Sequence, residues 1–287
     1  MNAVKTALVV EGGGLRGAFP VGVLQVLLAR FGADAFDGIF AVSSGVFAST
    51  FFLAGQGAEM EAIWRDRVCG NQLVDHRNWF TRKPVLRLDY LIDLFKGPAR
   101  LDLDRVMGSR PFLEYVLSDH DTGRPVYVDA KRHDIFDLMR ASSALPHVYP
   151  LPVRIAGRNF FDGGQSDPIP VQRALAFGAT HIVVVRTRPA GYVKKPALPW
   201  QAATALQNRY NESVRLIAHP PAGHSIVSFN PITMFAGRLT RNQRRITAAI
   251  AHGKEIANQV IDAHPAFFER AIGRRESGSP RSAPVSP

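Results

Sequence analysis

The sequence predicts an α/β fold built on a parallel-rich, doubly wound sheet flanked by helices. Three observations predict it. Thr6–Val10 is a short apolar run that meets a glycine-rich turn and then a stretch of helical spacing. A second run, Ile39-Phe40-Ala41-Val42, stops abruptly at Ser43 and passes into small residues. A third, His-Ile-Val-Val-Val-Arg at 181–186, reads as another buried strand. Strands separated by helical patterns give β-turn-α-β units, the start of a parallel sheet.

The elements follow in order. After the first strand, residues 11–17 form the glycine-rich turn. Ala18–Phe31 is a helix, apolar at Val21, Leu24, Val26, Leu27 and Leu28, and Gly32 ends it. Asp37-Gly38 turns the chain into the second strand. Helices are predicted at 45–54 and 58–68. The stretch 70–108 is less regular: it mixes His76, Trp79, Phe80, Arg82, Lys83, Arg87 and Lys96 with apolar residues, and 88–95 is helical in pattern. Basic residues interleaved with aromatics suit a lid or a surface that meets lipid headgroups, and equally a half-exposed helical excursion.

Order returns with a strand at 125–130, a helix at 135–144 ending before Pro146, and a hairpin at 153–161 broken at Ala156-Gly157. A helix at 170–177 leads to the strand at 181–186. A proline-rich linker at 189–199 precedes a helix at 202–218, the short strand Ser225–Phe229 and a basic helix over 237–261. The expected domain spans 1–272, with a motif-bearing core at about 6–187 and a helical extension at 188–272. The last fifteen residues, 273–287, lack apolar material and are expected to be disordered.

The 287 residues suffice for one large or two small domains with a sizeable core. A net charge of +11 fits an anionic membrane surface, nucleic acid or a merely solvated surface. No nucleic-acid motif is present, so no nucleic-acid partner is expected. The single cysteine, Cys69, excludes an internal disulfide and leaves no cysteine-based metal site. It suits a reducing, cytoplasmic location, and the basic excess suits peripheral contact with an anionic membrane surface. No run approaches the roughly 18 consecutive apolar residues of a spanning helix, and the first ten residues lack the apolar core of a signal peptide.

Candidate chemistry begins at Ser43. Small residues two positions either side, Ala41 and Gly45, allow a tight strand-to-helix corner with the hydroxyl standing clear of the sheet. A serine nucleophile also needs a base and donors for the oxyanion. The loop Gly12-Gly13-Gly14-Leu15-Arg16-Gly17 can supply donors, because it precedes a helix N-terminus and lies at the same carboxyl edge of the sheet. The same glycines fit a G-x-G-x-x-G dinucleotide fingerprint. That reading demands an acidic residue at the end of the second strand, where Ser43-Ser44 stand instead. Asp162-Gly163-Gly164 puts a carboxylate at a strand end, a pattern that is also an ordinary turn.

Taken together in chain order, G-G-G-L-R-G at 12–17, A-V-S-S-G at 41–45 and D-G-G at 162–164 resemble the patatin-like phospholipases. Arg140-Ala141-Ser142-Ser143-Ala144-Leu145-Pro146 resembles the segment these proteins carry before the aspartate. The resemblance implies a three-layer α/β/α fold and a serine acyl hydrolase that needs no metal or cofactor and acts on lipid or ester substrates. It implies Ser43 as nucleophile, Asp162 as base, and N–H groups of Gly13, Gly14 and their neighbours as the oxyanion hole. Ala41 departs from the family's usual glycine.

An aspartate is ordinarily a weak base, and burial beside Phe160 and Phe161 would raise its pKa. The rival arrangement is a triad using His181, His219 or His224. Arg16 has two readings, contact with a phosphate headgroup or fixing of the loop. Ser142 and Ser143 are read as holding a helix end near the site, and Asp167 as a helix-entry residue. Outside this class stand a non-catalytic lipid- or anion-binding protein on the same fold, favoured if the Ser43 hydroxyl is buried or far from Asp162, and a nucleotide-dependent enzyme.

Overall fold

The computed structural model describes residues 4–81, 83–195 and 201–272. The expected tail at 273–287 and the end of the proline-rich linker lie outside them. Among the described residues one eight-stranded sheet forms from β1 (Thr6–Val10), β2 (Gly38–Val42), β3 (Phe112–Asp119), β4 (Pro125–Asp129), β5 (Val153–Ile155), β6 (Arg158–Asp162), β7 (His181–Val185) and β8 (Ser225–Phe229). The helices are α1 (Ala18–Phe31), α2 (Ser44–Leu53), α3 (Gly57–Ala62), α4 (Leu88–Lys96), α5 (Leu103–Gly108), α6 (Ile135–Ser143), α7 (Val171–Ala176), α8 (Gln201–Ala218), α9 (Gln243–Ala263) and α10 (Pro265–Ala271).

Five strands run parallel in the order β3-β2-β1-β7-β8. The chain winds outward from β1 through β2 to β3, and later from β7 to β8 on the other side. The direction of winding therefore reverses between β1 and β7. Such a switch point opens a crevice outside the carboxyl ends of the strands, where open α/β sheets bind ligands.

The antiparallel strands determine what enters that crevice. β2 pairs with residues 112–116 of β3 and β4 with residues 114–118, so they occupy opposite edges of β3. β6 pairs with residues 117–119, overlapping β4, and so lies on the β2 edge beyond the end of β2. Val42 stands opposite Val116 and Asp162 opposite the next residue, Leu117. Register alone thus brings Ser43 and Asp162 together.

Strand alternation builds the layers. Leu8, Val10, Ile39, Ala41, Leu113 and Tyr115 face a large core with α1, α2, α4, α6 and α9. Ala7, Val9, Phe40, Ile182 and Val184 face a smaller one with α7 and α8. The result is three layers, helices on both faces of the sheet. Helices α1 and α9 cross in close contact. A Cβ at Gly22 would sit 2.0 Å from Ile250 O, and one at Gly253 would sit 2.2 Å from Phe19 O. Only hydrogen fits at either position.

The stretch Gly14–Phe31, with a mean hydropathy of 1.2 over 18 residues, is long and apolar enough by composition to cross a membrane. Reading for unbroken apolar runs overlooked it. Here 61% of that window is buried, where α1 packs beside α9.

Several elements differ from expectation. Residues 109–124 carried no assigned strand, yet β3 is the longest in the sheet. Its buried Glu114 looks like a surface position until its partner is seen: Arg173 on α7 donates to both carboxylate oxygens at 2.6 and 2.7 Å. The helix expected at 58–68 is α3 followed by a π-helical turn, Ile63–Arg67. The basic helix begins at Gln243 rather than 237, because the Asn242 side chain caps it by accepting from Arg245 N at 3.1 Å. The residues ahead of it turn back toward the glycine loop, and Arg238 O accepts Leu15 N–H at 2.9 Å. Within 188–272 the strand expected at Ser225–Phe229 is found with those bounds as β8 and extends the sheet beyond β7. The hairpin at β5–β6 turns through Ala156 (φ 48°) and Gly157 (φ 83°), the paired positive φ that matches strand twist.

Candidate active site

Ser43 has φ 53° and ψ −132°, a backbone conformation that a side chain adopts only when its surroundings hold it there. What holds it is visible. Its N–H donates to Ser142 Oγ at 2.9 Å, and Ser142 Oγ donates to Val116 O at 2.8 Å, tying the corner to β3. A Cβ at Gly45 would lie 2.8 Å from Val10 O, so α2 can leave the corner this tightly only with glycine there. The extra methyl of Ala41 is fully buried in the core, so the departure at this position is accommodated. Ser142, read from sequence as holding a helix end, holds the Ser43 corner itself.

Asp162 is 4% exposed. Ser43 Oγ donates to its Oδ2 at 2.8 Å, and Gly164 N–H donates to its Oδ1 at 2.7 Å. Gly163 lets this turn press against β3: a Cβ there would lie 2.0 Å from Val116 O. Burial pushes the Asp162 carboxyl up to about 6, against the opposing pull of the Ser43 and Gly164 hydrogen bonds and of the charges on Arg238 and Lys194. Phe160 is buried as expected. Phe161 is half-buried instead, its ring 5.0 Å from that of His120.

The glycine loop reaches the same point. A Cβ at Gly12 would lie 2.7 Å from Ser43 Cβ. Within the loop, Gly13 N–H donates to Ser44 Oγ at 3.1 Å, Leu15 N–H to Arg238 O, and Arg16 N–H to Gly13 O at 3.3 Å. That leaves the N–H groups of Gly12 and Gly14 without an acceptor among the described residues. Gly14 adopts φ 58°, and Gly17 leads into α1 beside Trp64 and Ser44.

Ser43, Asp162 and residues 12–16 line one cleft. Part of its wall is apolar, from Phe47, Trp64, Leu73, Leu91, Phe95 and Leu145. Part is polar and was missed from sequence: Glu11, Arg188, Lys194, Tyr210 and Arg238. Glu11, Arg188 and Tyr210 belong to elements ending or packing at the β1–β7 switch point, the one signal that strand order offers in advance. Glu11 is 2% exposed; it accepts Thr187 N–H at 2.6 Å and the Tyr210 hydroxyl at 3.3 Å, with Arg186 Nε at 3.8 Å. Burial raises its pKa, and Arg186 opposes that most strongly.

Arg16 is 8% exposed with its Nε unpartnered. Burial, with Arg188 and Arg238 nearby, lowers its pKa to about 10. Ser143 Oγ likewise faces the cleft, buried and without a partner among the described residues.

No histidine lines the cleft among the described residues. His181 begins β7 at the opposite end of the sheet, and His219 and His224 precede β8 at that same end. Asp167 does not enter a helix. It accepts the Tyr127 hydroxyl at 2.7 Å and lies 3.8 Å from Arg209.

A family model described as patatin-like phospholipase matches residues 8–175. Over 190 residues the chain is 31% identical to the uncharacterized protein YjjU of Escherichia coli (strain K12), covering 65% of this chain and 53% of that protein. The chain thus spans about half the length of that curated relative. Among solved structures, VipD from Legionella pneumophila is similar with a TM-score of 0.51 at 13% identity, covering 91% of this chain and 67% of that one. That likeness is one of fold.

Proposed function

Because the chain belongs to the patatin-like phospholipase family, we propose that it is a lipid acyl hydrolase working through a Ser43–Asp162 dyad. The single observation that carries this reading is the 2.8 Å hydrogen bond from Ser43 Oγ to Asp162 Oδ2 at a corner with φ 53°. The non-catalytic alternative expects the hydroxyl buried or far from the carboxylate; Ser43 is only 7% exposed, but it lines the cleft and its contact with Asp162 argues against that alternative.

The steps follow from the side chains. Asp162 takes the Ser43 proton as Oγ attacks the ester carbonyl. The unpartnered N–H groups of Gly12 and Gly14 are the donors open to the developing oxyanion. Collapse expels the alcohol, which receives the proton from Asp162, and leaves an acyl ester on Ser43. Asp162, again a carboxylate, then deprotonates the water that attacks this acyl-enzyme, and Ser43 regains its proton. A carboxyl pKa near 6 leaves Asp162 ionised at neutral pH yet more basic than an ordinary aspartate.

Intact-mass labelling with a fluorophosphonate tests the reading. Wild type should gain one adduct and Ser43→Ala none, with nitrophenyl ester turnover vanishing in parallel. A folded wild type that neither labels nor turns over would overturn it.

We also propose that the cleft opens onto a membrane surface. Leu73 and Leu86 line the cleft and form the stem of a small excursion, held by Asp75 N–H to Val85 O at 2.9 Å and Arg87 N–H to Leu73 O at 2.8 Å. Its tip exposes Phe80 (93%) and Trp79 (51%), flanked by the exposed Arg77, Lys83 and Arg87. Aromatic rings beside cations suit an anionic interface. Phe80→Ala should weaken sedimentation with phosphatidylglycerol vesicles by about tenfold, and wild-type binding should fall as salt rises. Binding indifferent to both would remove the tip from this role.

A further inference from the structure

The ester chemistry uses none of the four cations that border the cleft. Arg16 follows β1, Arg188 and Lys194 follow β7, and Arg238 follows β8, so three separate carboxyl-end loops bring them to the switch-point crevice. Their charges interact. Lys194 is lowered to about 8 by burial and then by Arg238, against the opposing pull of Glu11, with Arg16 and Arg188 adding to the lowering. Arg238 and Lys194 also act on Asp162, which sets both within electrostatic reach of the reacting atoms.

Counter-charge is scarce. Among the described residues none of the four lies within 4.0 Å of a carboxylate oxygen. Glu11 borders the same cleft, but its oxygens are already committed to Thr187 N–H, Tyr210 and Arg186. Asp162 is committed to Ser43 and Gly164. Arg188 and Lys194 lie instead over aromatic rings, Arg188 Cζ 4.5 Å from the Tyr192 centroid and Lys194 Nζ 5.1 Å from that of Tyr210. Cation–ring contacts hold a side chain in position and leave its N–H donors for an anion. Glu11 and Asp162 offset part of this charge, yet four cations against two carboxylates leave a positive excess that an anionic ligand would neutralise. An ammonium group entering beside them would meet no free carboxylate.

We propose that Arg16, Arg188, Lys194 and Arg238 form an anion subsite that selects lipids whose headgroup is a phosphate carrying net negative charge, against zwitterionic choline lipids. The proposal rests on the lipid-hydrolase reading and adds headgroup selection to it. Arg16 lies within the 8–175 stretch matched by the family model, whereas Arg188, Lys194 and Arg238 lie beyond it.

The test uses dihexanoyl lipids below their critical micelle concentration, which separates headgroup recognition from attraction to a charged surface. Ser43→Ala removes turnover, and Trp64, which lines the cleft, reports occupancy by its fluorescence. Dihexanoyl phosphatidic acid should bind at least about tenfold more tightly than dihexanoyl phosphatidylcholine. Arg188→Gln and Arg238→Gln should each cut that ratio by roughly three- to tenfold.

Equal binding of the two lipids would overturn the subsite, whether or not the protein is a hydrolase. Inorganic phosphate binding as tightly as the anionic lipid would overturn the lipid assignment and mark a free-phosphate site. Wild-type turnover of the same two lipids, with a neutral nitrophenyl ester alongside, separates the two claims. Loss of all ester turnover would sink the hydrolase reading while leaving the binding ratio to judge the subsite. Turnover of the neutral ester with equal rates on both lipids would sink the subsite alone.

Discussion

Replacing Ser43 with alanine should lower the turnover number for a short nitrophenyl ester by at least about a thousandfold, and Asp162→Asn should do the same. The double variant should be no worse than either single one. The physical reason is that the two groups act in one step: Oγ becomes a nucleophile only as Oδ2 accepts its proton across their 2.8 Å hydrogen bond. An asparagine can keep the shape of the turn, because its amide oxygen can still accept from Gly164 N–H, but it cannot take the proton. Measured turnover numbers for the three variants decide the matter. Losses that multiply in the double variant would mean that Ser43 and Asp162 contribute independently, and the dyad would be wrong.

The second large effect is on pH. With the Asp162 carboxyl raised to about 6, kcat/KM should be level above roughly pH 7 and fall about tenfold per pH unit well below 6, reaching about a hundredfold loss near pH 4. The same shift reaches stability with the opposite sign. The folded carboxyl holds its proton more tightly than the ordinary value of 3.8, so the folded state is favoured while that proton stays bound. This contribution is present below about pH 4 and is lost as pH rises through 6. It amounts to about 3 kcal/mol by linkage for a fully buried group. Asp162→Asn carries no such penalty, and its urea midpoint should exceed that of wild type at pH 8 and converge with it toward pH 4. A wild-type rate profile flat down to pH 4, or a variant that gains nothing at pH 8, would count against a buried, ionised Asp162.

Much of this was local enough to read in the chain. The strand, glycine turn and helix at 6–31 depend on side-chain period and on residues that allow a turn, all of which are sequence-neighbour effects. The Ser43 corner is legible for the same reason, since small residues at 41 and 45 are a local requirement of a sharp strand-to-helix turn. Asp162-Gly163-Gly164 is legible only as a turn; its chemistry is not local.

What the tertiary structure decided depends on groups far apart in sequence. Strand β3 was hidden because Glu114 is tolerable in a buried strand only with Arg173, 59 residues away. The meeting of Ser43 with Asp162 follows from the register of β2 and β6 along one edge of β3, which no single segment encodes. The basicity of Asp162 follows from burial, a property of everything packed around it. Hydrogen bonding removed Gly13, Leu15 and Arg16 from the loop's free donors, through Ser44 Oγ, Arg238 O and Gly13 O, partners that sequence could not assign. The four cations come from loops after β1, β7 and β8, and only the strand order gathers them. Sequence determined which local shapes the chain can take; packing determined which distant charges and hydrogen bonds those shapes must share.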